Sequence, residues 1–257
     1  MKLVSRRLGL VLAMLLVGAA SPSHTILATQ PISRLDLPWW KARHEAVLER
    51  LRHDPADVIF LGDSITQNWE RSGPPDWADF QPAWRHFYGD RNAVNAGFVG
   101  DTTASQIWRI RNGEVAGIAP KAVVVLIGAN NLGRLHWSAE DTLAGIDTIL
   151  VDLRKRLPSA KLLLVGVLPS ERSAWASETT TTIDAALKAR YGRSGEIAYV
   201  DPVPIFSEGG RLIRSLFYDP LQTPPGAPLH PTAEGMAKLA RAIEPTLARL
   251  LHAPEKQ

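Results

Sequence analysis

The residues best placed to do chemistry lie in the segment 60–66, Phe-Leu-Gly-Asp-Ser-Ile-Thr, whose serine is Ser64. The apolar run 57–61, rich in β-branched residues, predicts a buried strand that ends just before this serine. Backbone N–H groups at such a junction are no longer paired by the strand, and they can stabilise a developing negative charge. The alternative is an ordinary turn in which Asp63 or Ser64 caps a short helix. The segments that follow along the chain favour the chemical interpretation.

Three later polar segments occupy equivalent positions. Gly100 lies in 97–103, which follows a predicted strand at 92–96, and Asn130 lies in 128–131, which follows a predicted strand at 121–127. His230 immediately precedes the last predicted helix. Each residue also has a simpler interpretation, because glycine and asparagine are common in turns and a histidine before a Pro-Thr cap is common on surfaces. Their occurrence together, in order, favours one shared site.

Strands and helices alternate along the chain, which is typical of an α/β protein. The predicted strands are 57–61, 92–96, 121–127, 161–168 and 196–200, and the predicted helices are 38–52, 102–112, 138–157, 180–191 and 232–251. Two of the strands are apolar without alternation, as expected for a parallel sheet covered on both faces. The connection 201–229 contains six prolines and has no predicted structure of its own. We therefore predict a three-layer α/β/α sandwich with a five-stranded parallel sheet, as a single domain over 29–257.

The four segments resemble the motifs of the SGNH (GDSL-like) hydrolase family, in particular its platelet-activating-factor acetylhydrolase-like branch. The resemblance extends over about residues 38–250 and rests on Gly-Asp-Ser-Ile-Thr at 62–66, Gly-Phe-Val-Gly-Asp-Thr-Thr at 97–103, Gly-Ala-Asn-Asn at 128–131 and Leu-His-Pro at 229–231. It implies a flavodoxin-like fold, with Ser64 as the nucleophile and His230 as its base. It also implies three oxyanion donors, the backbone N–H groups of Ser64 and Gly100 and the side-chain amide of Asn130.

The chain departs from the family pattern at one position. The aspartate that orients the catalytic histidine normally lies three residues before it, where this chain has Ala227. Three explanations are open: Asp219 is a displaced third member of the triad, Ser64 and His230 act as a dyad, or the site is impaired. Glu234, four residues after His230, is a weaker candidate for the acid.

Composition narrows the remaining classes of function. The 257 residues carry a net charge of +3 without a basic stripe suited to nucleic acid, so we expect no nucleic-acid partner. The absence of cysteine removes thiolate catalysis and cysteine-based metal sites. The histidines lack ligand spacing such as His-Glu-x-x-His, and no phosphate-binding loop motif occurs. We therefore expect neither a metal nor a cofactor.

The segment 1–28 has the features of a secretory signal peptide. Lys2, Arg6 and Arg7 precede a short apolar run at 8–20, and small residues at 18–20 suit a signal peptidase, with Ala28 as a second cleavage candidate. A retained membrane anchor is the alternative, but the apolar run is short for a hydrocarbon layer about 30 Å thick. We expect a periplasmic or secreted protein without stable membrane insertion.

Together these observations predict a serine esterase. It would hydrolyse short acyl esters, acetyl esters in particular, of a carbohydrate or lipid through an acyl-enzyme, and the acyl preference is implied by the family resemblance alone. Its partner would be a small-molecule or glycan acyl ester. The alternative, motivated by Ala227, is a non-hydrolytic or acyl-transferring protein that acts on an extracellular polysaccharide.

Overall fold

A five-stranded parallel sheet forms the centre of the protein, with the strand order β2–β1–β3–β4–β5. The computed structural model describes residues 25–257, so most of the predicted signal peptide lies outside the described residues. The strands are β1 (Val58–Gly62), β2 (Ala93–Gly97), β3 (Ala122–Leu126), β4 (Lys161–Val165) and β5 (Ile197–Val200). The winding direction reverses between β1 and β3, which is where ligands bind in sheets of this type.

Nine α-helices connect or flank these strands in the described part of the chain. They are α1 (Pro38–His53), α2 (Ser64–Gln67), α3 (Gln81–Tyr88), α4 (Thr103–Arg109), α5 (Ala129–Gly133), α6 (Ala139–Arg156), α7 (Ala174–Tyr191), α8 (Val203–Phe206) and α9 (Ala233–Leu251). Short 3-10 helices cover Leu27–Thr29, Asn68–Glu70, Asp76–Ala78, Arg214–Leu216 and Asp219–Leu221, and a π-helical turn covers Ile110–Glu114. A two-stranded hairpin pairs β6 (Ser207–Glu208) with β7 (Arg211–Leu212).

The sheet is covered on both faces, and each face has its own apolar core. Helices α1, α4, α6 and α7 pack against one face, where Ile59 and Leu61 of β1 point. Helices α3 and α9 pack against the other face, together with Phe60. Because successive strand side chains point to opposite faces, burial on both sides requires strands that are apolar throughout. The predicted three-layer α/β/α fold is confirmed.

Two predicted elements need correction. Helix α7 begins at Ala174, six residues before the predicted start, and Ser173 caps it by accepting a hydrogen bond from the N–H of Ala176. The connection 201–229 was predicted to lack structure, but it contains α8, the β6–β7 hairpin and two 3-10 helices. These short elements fix the path of the chain between β5 and His230.

Residues at the end of the predicted signal segment pack against the domain. Ala28 is buried, and its carbonyl oxygen accepts a hydrogen bond from Thr103 Oγ1 at 2.8 Å. The predicted boundary after residue 28 therefore falls inside a short 3-10 helix that contacts α4 and α6. Among residues 25–257, no helix has the length and apolar character needed to cross a membrane.

Asp184 is a buried carboxyl on α7, and it makes the stability of the fold sensitive to pH. Burial raises the pKa of Asp184 from 3.8 to about 8, although its Oδ1 accepts a hydrogen bond from the N–H of Val167 at 2.8 Å. Between these pH values the unfolded chain has lost a proton that the folded chain retains. The free energy of unfolding therefore falls as pH rises, with a slope of up to about 1.4 kcal/mol per pH unit.

Asp184→Asn should remove this pH dependence, because the amide oxygen can still accept from Val167 and the amide does not ionise. From about pH 5 to about pH 7, the wild type should lose about 2–3 kcal/mol of stability relative to the variant, as measured by urea unfolding. Glu178→Gln, an exposed change on the same helix, should follow the wild type. Parallel pH profiles for wild type and Asp184→Asn would contradict this assignment.

Candidate active site

Ser64 begins helix α2 at the carboxyl end of β1. The preceding Asp63 caps this helix, because its Oδ1 accepts a hydrogen bond from the N–H of Ile65 at 2.9 Å. Gly62 allows the tight turn, since a methyl group there would lie 2.2 Å from Thr66 Oγ1. The strand, the glycine and the cap together fix the Ser64 hydroxyl at the carboxyl end of β1. This position is next to the point between β1 and β3 where the winding of the sheet reverses direction.

The structure brings Ser64 and His230 together, although 166 residues separate them in sequence. Ser64 Oγ lies 3.0 Å from His230 Nε2, which is hydrogen-bonding distance. On the other side of the imidazole, His230 Nδ1 lies 2.7 Å from Asp219 Oδ1. If Nδ1 carries the proton, Nε2 is free to accept the proton of the serine hydroxyl. The three side chains thus have the connectivity of a serine–histidine–acid triad.

Asp219 reaches His230 because two stretches of chain pair side by side. An isolated antiparallel bridge joins Phe217 to Pro231, and the N–H of Tyr218 donates to the carbonyl oxygen of His230 at 2.9 Å. Asp219 Oδ2 then accepts the backbone N–H groups of Leu229 at 2.8 Å and His230 at 2.6 Å. Both carboxylate oxygens of Asp219 therefore form hydrogen bonds with the segment 229–230, which carries the histidine.

The environment of Asp219 favours its ionised form. Burial alone would raise its pKa, but the hydrogen bonds from the His230 ring and from the backbone, with the charge of His230, outweigh burial and lower the pKa. Ala227, at the family's usual aspartate position, is exposed, and Glu234 is exposed and pairs with Lys238. Of the candidate acids, Asp219 is the one in contact with the imidazole.

Tyr218 supports the imidazole from one face, a role that the sequence did not suggest. Its ring stacks on His230 with centroids 5.4 Å apart and planes 15° apart. Its hydroxyl accepts a hydrogen bond from Arg71 at 2.9 Å and lies 3.3 Å from Asn68 Nδ2. Because the tyrosine is fixed at both ends, it limits rotation of the histidine.

The two other predicted oxyanion donors lie in the loops after β2 and β3. Gly100 has a φ of +74°, a left-handed conformation that glycine adopts without strain. Asn130 is buried, and its Nδ2 donates to the carbonyl oxygen of Asp101 at 3.0 Å and lies 3.4 Å from Asp63 Oδ2. The second contact is long, which leaves that N–H weakly engaged.

Asp63 connects the serine turn to the Asn130 loop. The side chain is fully buried, and burial raises its pKa from 3.8 to about 6. Its two oxygens lie against the N–H of Ile65 and the amide of Asn130, not against His230. Asp63 therefore positions the turn as the cap of α2.

A buried ionic cluster contacts the Gly100 loop through Asp101, the residue that follows Gly100. Arg109 is fully buried and donates to Asp101 Oδ2 at 2.8 Å, to Gln106 Oε1 at 2.6 Å and to Glu114. Burial raises the pKa of Glu114 from 4.5 to about 7 despite the neighbouring guanidinium. Asp101 thus forms ion pairs with arginines. The cap of α4 is Thr102, whose side chain accepts a hydrogen bond from the N–H of Ser105.

Comparison with known proteins identifies the family. The model of the GDSL-like lipase/acylhydrolase family matches residues 60–238, a segment that contains Ser64, Gly100, Asn130, Asp219 and His230. The chain belongs to this family. The predicted resemblance is confirmed, and the protein is an ester hydrolase of the GDSL type.

Relatives of this GDSL hydrolase agree with the assignment. This chain is 28% identical over 222 residues to the human platelet-activating factor acetylhydrolase IB subunit alpha2. The match covers 85% of this chain and 88% of the relative. A GDSL-like lipase from Bacteroides thetaiotaomicron superimposes with a TM-score of 0.63 at 18% identity, covering 82% of this chain and 98% of that one. A carbohydrate esterase family 3 protein from Talaromyces cellulolyticus gives a TM-score of 0.53 at 18% identity, covering 77% and 98%. These two structures support the fold.

Proposed function

We propose that this GDSL hydrolase is a serine esterase that removes short acyl groups, acetyl in particular, from a carbohydrate or lipid through an acyl-enzyme on Ser64. The observation that carries the proposal is the alignment of Ser64 Oγ, the His230 ring and Asp219, with contacts of 3.0 Å and 2.7 Å. The acetyl preference is supported by the acetylhydrolase relative.

The geometry suggests the following reaction. Ser64 Oγ attacks the ester carbonyl carbon while His230 Nε2 accepts the hydroxyl proton, and the resulting imidazolium is paired with Asp219. The tetrahedral oxyanion is stabilised by the N–H groups of Ser64 and Gly100 and by the Asn130 amide. His230 then protonates the leaving alcohol oxygen as the carbon–oxygen bond breaks. A water molecule attacks the acyl-enzyme with His230 again as base, which releases the carboxylic acid and restores Ser64.

The proposal is tested by an acyl-chain series on the purified protein. With p-nitrophenyl acetate, butyrate and octanoate, kcat/KM should be highest for acetate, and Ser64→Ala should lose turnover of all three. Circular dichroism should show that the variant is folded. Turnover that persists in Ser64→Ala would refute the role of Ser64, and a preference for octanoate would refute the short-acyl assignment alone.

Asn130→Ala should reduce kcat by about 10²–10³, because one oxyanion donor is lost. KM should change little, since this donor acts mainly on charge that develops in the transition state. Steady-state kinetics with p-nitrophenyl acetate measure both constants, and Asn112→Ala, at an exposed position in the turn after α4, serves as the control. A loss confined to KM would show that Asn130 binds substrate without stabilising the oxyanion.

The alternative of a non-hydrolytic or acyl-transferring role on an extracellular polysaccharide rests on Ala227. The contact between Asp219 and His230 supplies the hydrogen-bond acceptor whose absence motivated that alternative. We therefore retain hydrolysis as the proposed activity.

We also propose that the protein is secreted or periplasmic after cleavage near residue 20. The hydrogen bond between Thr103 and the carbonyl oxygen of Ala28 supports retention of residue 28 in the mature domain. N-terminal sequencing of the exported protein tests this proposal. A mature chain that begins after Ala28 would refute the cleavage position.

A further inference from the structure

Two guanidinium groups flank Gly100, the loop residue to which we assign an oxyanion donor. A methyl group built on Gly100 would lie 2.6 Å from Arg134 Nη1 and 3.3 Å from Arg34 Nη2. Arg134 follows α5, and Arg34 precedes α1, so they approach the loop from different elements. Their positive charges therefore meet beside the proposed site of acyl transfer.

These two arginines are not neutralised to the same degree. Within residues 25–257, the Arg134 guanidinium has no hydrogen-bond or ion-pair partner, and the residue is exposed. Arg34 Nη1 donates to Asp101 Oδ1 and to the carbonyl oxygen of Val99, both at 2.8 Å. The same carboxylate also pairs with the buried Arg109. Arg109 also pairs with Glu114, so Arg34 and Arg109 together face two carboxylates. Among the described residues, the positive charge left without a partner at the Gly100 loop is therefore that of Arg134.

A third arginine, Arg172, lies next to the segment that carries Arg134. Arg172 packs against Gly133, beside Arg134, and its Nη2 donates to the carbonyl oxygen of Ala129 at 2.7 Å. Burial lowers the pKa of Arg172, while the carboxylates of Asp63 and Asp219 act in the opposite direction. Asp63 and Asp219 thus partly offset the charge of Arg172, which contacts the end of α5 that precedes Arg134.

Like charges held close together are unfavourable unless an anion lies between them. A guanidinium presents a planar set of donors that suits carboxylate, phosphate and sulfate oxygens. We infer that the site at Ser64 selects esters whose alcohol carries a negative charge, and that Arg134, with Arg34 beside it, contacts that charge. This inference rests on the proposed esterase function and names the class of its substrate.

The test compares matched acetyl esters of similar shape. The anionic probes are meta-acetoxybenzoate and meta-acetoxyphenyl phosphate, and the neutral probe is the methyl ester of meta-acetoxybenzoate. At low salt, kcat/KM should be roughly fivefold to tenfold higher for an anionic probe, as expected for one or two charge-assisted hydrogen bonds at a partly exposed site. Whichever anionic probe, the carboxylate or the phosphate, has the larger kcat/KM relative to the neutral ester shows which anion the site recognises. Added salt should reduce the advantage of both anionic probes.

Arg134→Gln should bring the ratio of anionic to neutral kcat/KM close to one. Arg52→Gln, which removes an exposed arginine near the opposite edge of the sheet, should leave the ratio unchanged. Equal activity of the wild type on charged and neutral probes would overturn the inference. An equal loss on both probes in Arg134→Gln would also overturn it, because that result assigns Arg134 to the oxyanion or to the fold.

Binding provides a readout that does not depend on hydrolysis. In the Ser64→Ala background, calorimetry should show tighter binding of meta-acetoxybenzoate than of its methyl ester, and the added Arg134→Gln change should remove the difference. Equal affinity for the two esters refutes the inference about charge. Selective binding by a wild-type protein that hydrolyses no ester supports the inference and refutes the proposed esterase function.

Discussion

Replacing Asp219 by asparagine should lower kcat by about 10⁴ while the protein remains folded, which is the loss seen when other serine hydrolases lose the acid of the triad. The asparagine oxygen can still accept the backbone N–H groups of Leu229 and His230, which now donate to the carboxylate. Its amide would then face His230 Nδ1 and favour the tautomer with the proton on Nε2. That proton would point at Ser64 Oγ, so the histidine could not act as its base.

The measurement is kcat for p-nitrophenyl acetate in Asp219→Asn, His230→Ala and Glu234→Gln. Glu234 is the matched control, because it is a nearby carboxylate that is exposed and paired with Lys238. Its removal should leave kcat within about twofold of the wild type, as expected for an exposed ion pair of small energy. If Asp219→Asn retains wild-type kcat while His230→Ala is inactive, Ser64 and His230 work as a dyad and Asp219 is not the catalytic acid.

Arg109→Met should destabilise the fold by about 3–5 kcal/mol, the usual cost of leaving a buried charge without its partner. Arg109 is the shared donor to Asp101 and Glu114, and all three side chains are fully buried. Methionine fills part of the volume but donates no hydrogen bond. Asp101 would keep Arg34 and Trp40 as donors, whereas Glu114 would keep Gln106 alone.

Urea unfolding at about pH 8, where most of Glu114 is ionised given its pKa of about 7, measures this effect. Arg52→Gln, at an exposed position, is the control and should change stability by less than about 0.5 kcal/mol. The double change Arg109→Met with Glu114→Gln should recover part of the loss, because one buried charge is then removed. A loss below about 1 kcal/mol in Arg109→Met would show that the cluster does not hold the Gly100 loop.

Much of the candidate site could be predicted because parallel sheets place functional residues at one edge. Ser64, Gly100 and Asn130 all follow strands whose apolar runs are readable in the sequence. The positions of β1, β2 and β3 follow from those runs within one or two residues. The hydrophobic pattern, with the rule that functional residues follow parallel strands, therefore placed these three residues at the carboxyl ends of strands, and the family resemblance supplied their roles.

The position of Asp219 could not be decided from the sequence, because its contact with His230 depends on long-range pairing. The bridge between Phe217 and Pro231 spans a loop rich in proline, and no local pattern indicates that pairing. The sequence therefore left three explanations open for Ala227. The arginines at the Gly100 loop were missed for a related reason, since Arg34 and Arg134 are far apart in the chain.

The early start of α7 has a local cause. The predicted start at residue 180 lies within four consecutive threonines at 179–182, which have weak helix propensity. The prediction omitted residues 174–179, which directly follow the Ser173 cap. In the structure each threonine hydroxyl donates to the carbonyl oxygen four residues earlier, as Thr180 does to Ala176 at 2.8 Å. Packing of Ile183 and Leu187 against the sheet then outweighs the weak helix propensity.

Acylation of Ser64 is the step on which the proposed mechanism depends, and it can be measured directly. The protein is mixed with p-nitrophenyl acetate, quenched in acid within the first turnover, and examined by intact mass and by peptide mapping. We expect one acetyl group per chain, located on Ser64, that forms in the wild type, is absent in Ser64→Ala, and forms far more slowly in His230→Ala. An acetyl group on another residue, or p-nitrophenol release by Ser64→Ala at the wild-type rate, would contradict the proposed mechanism.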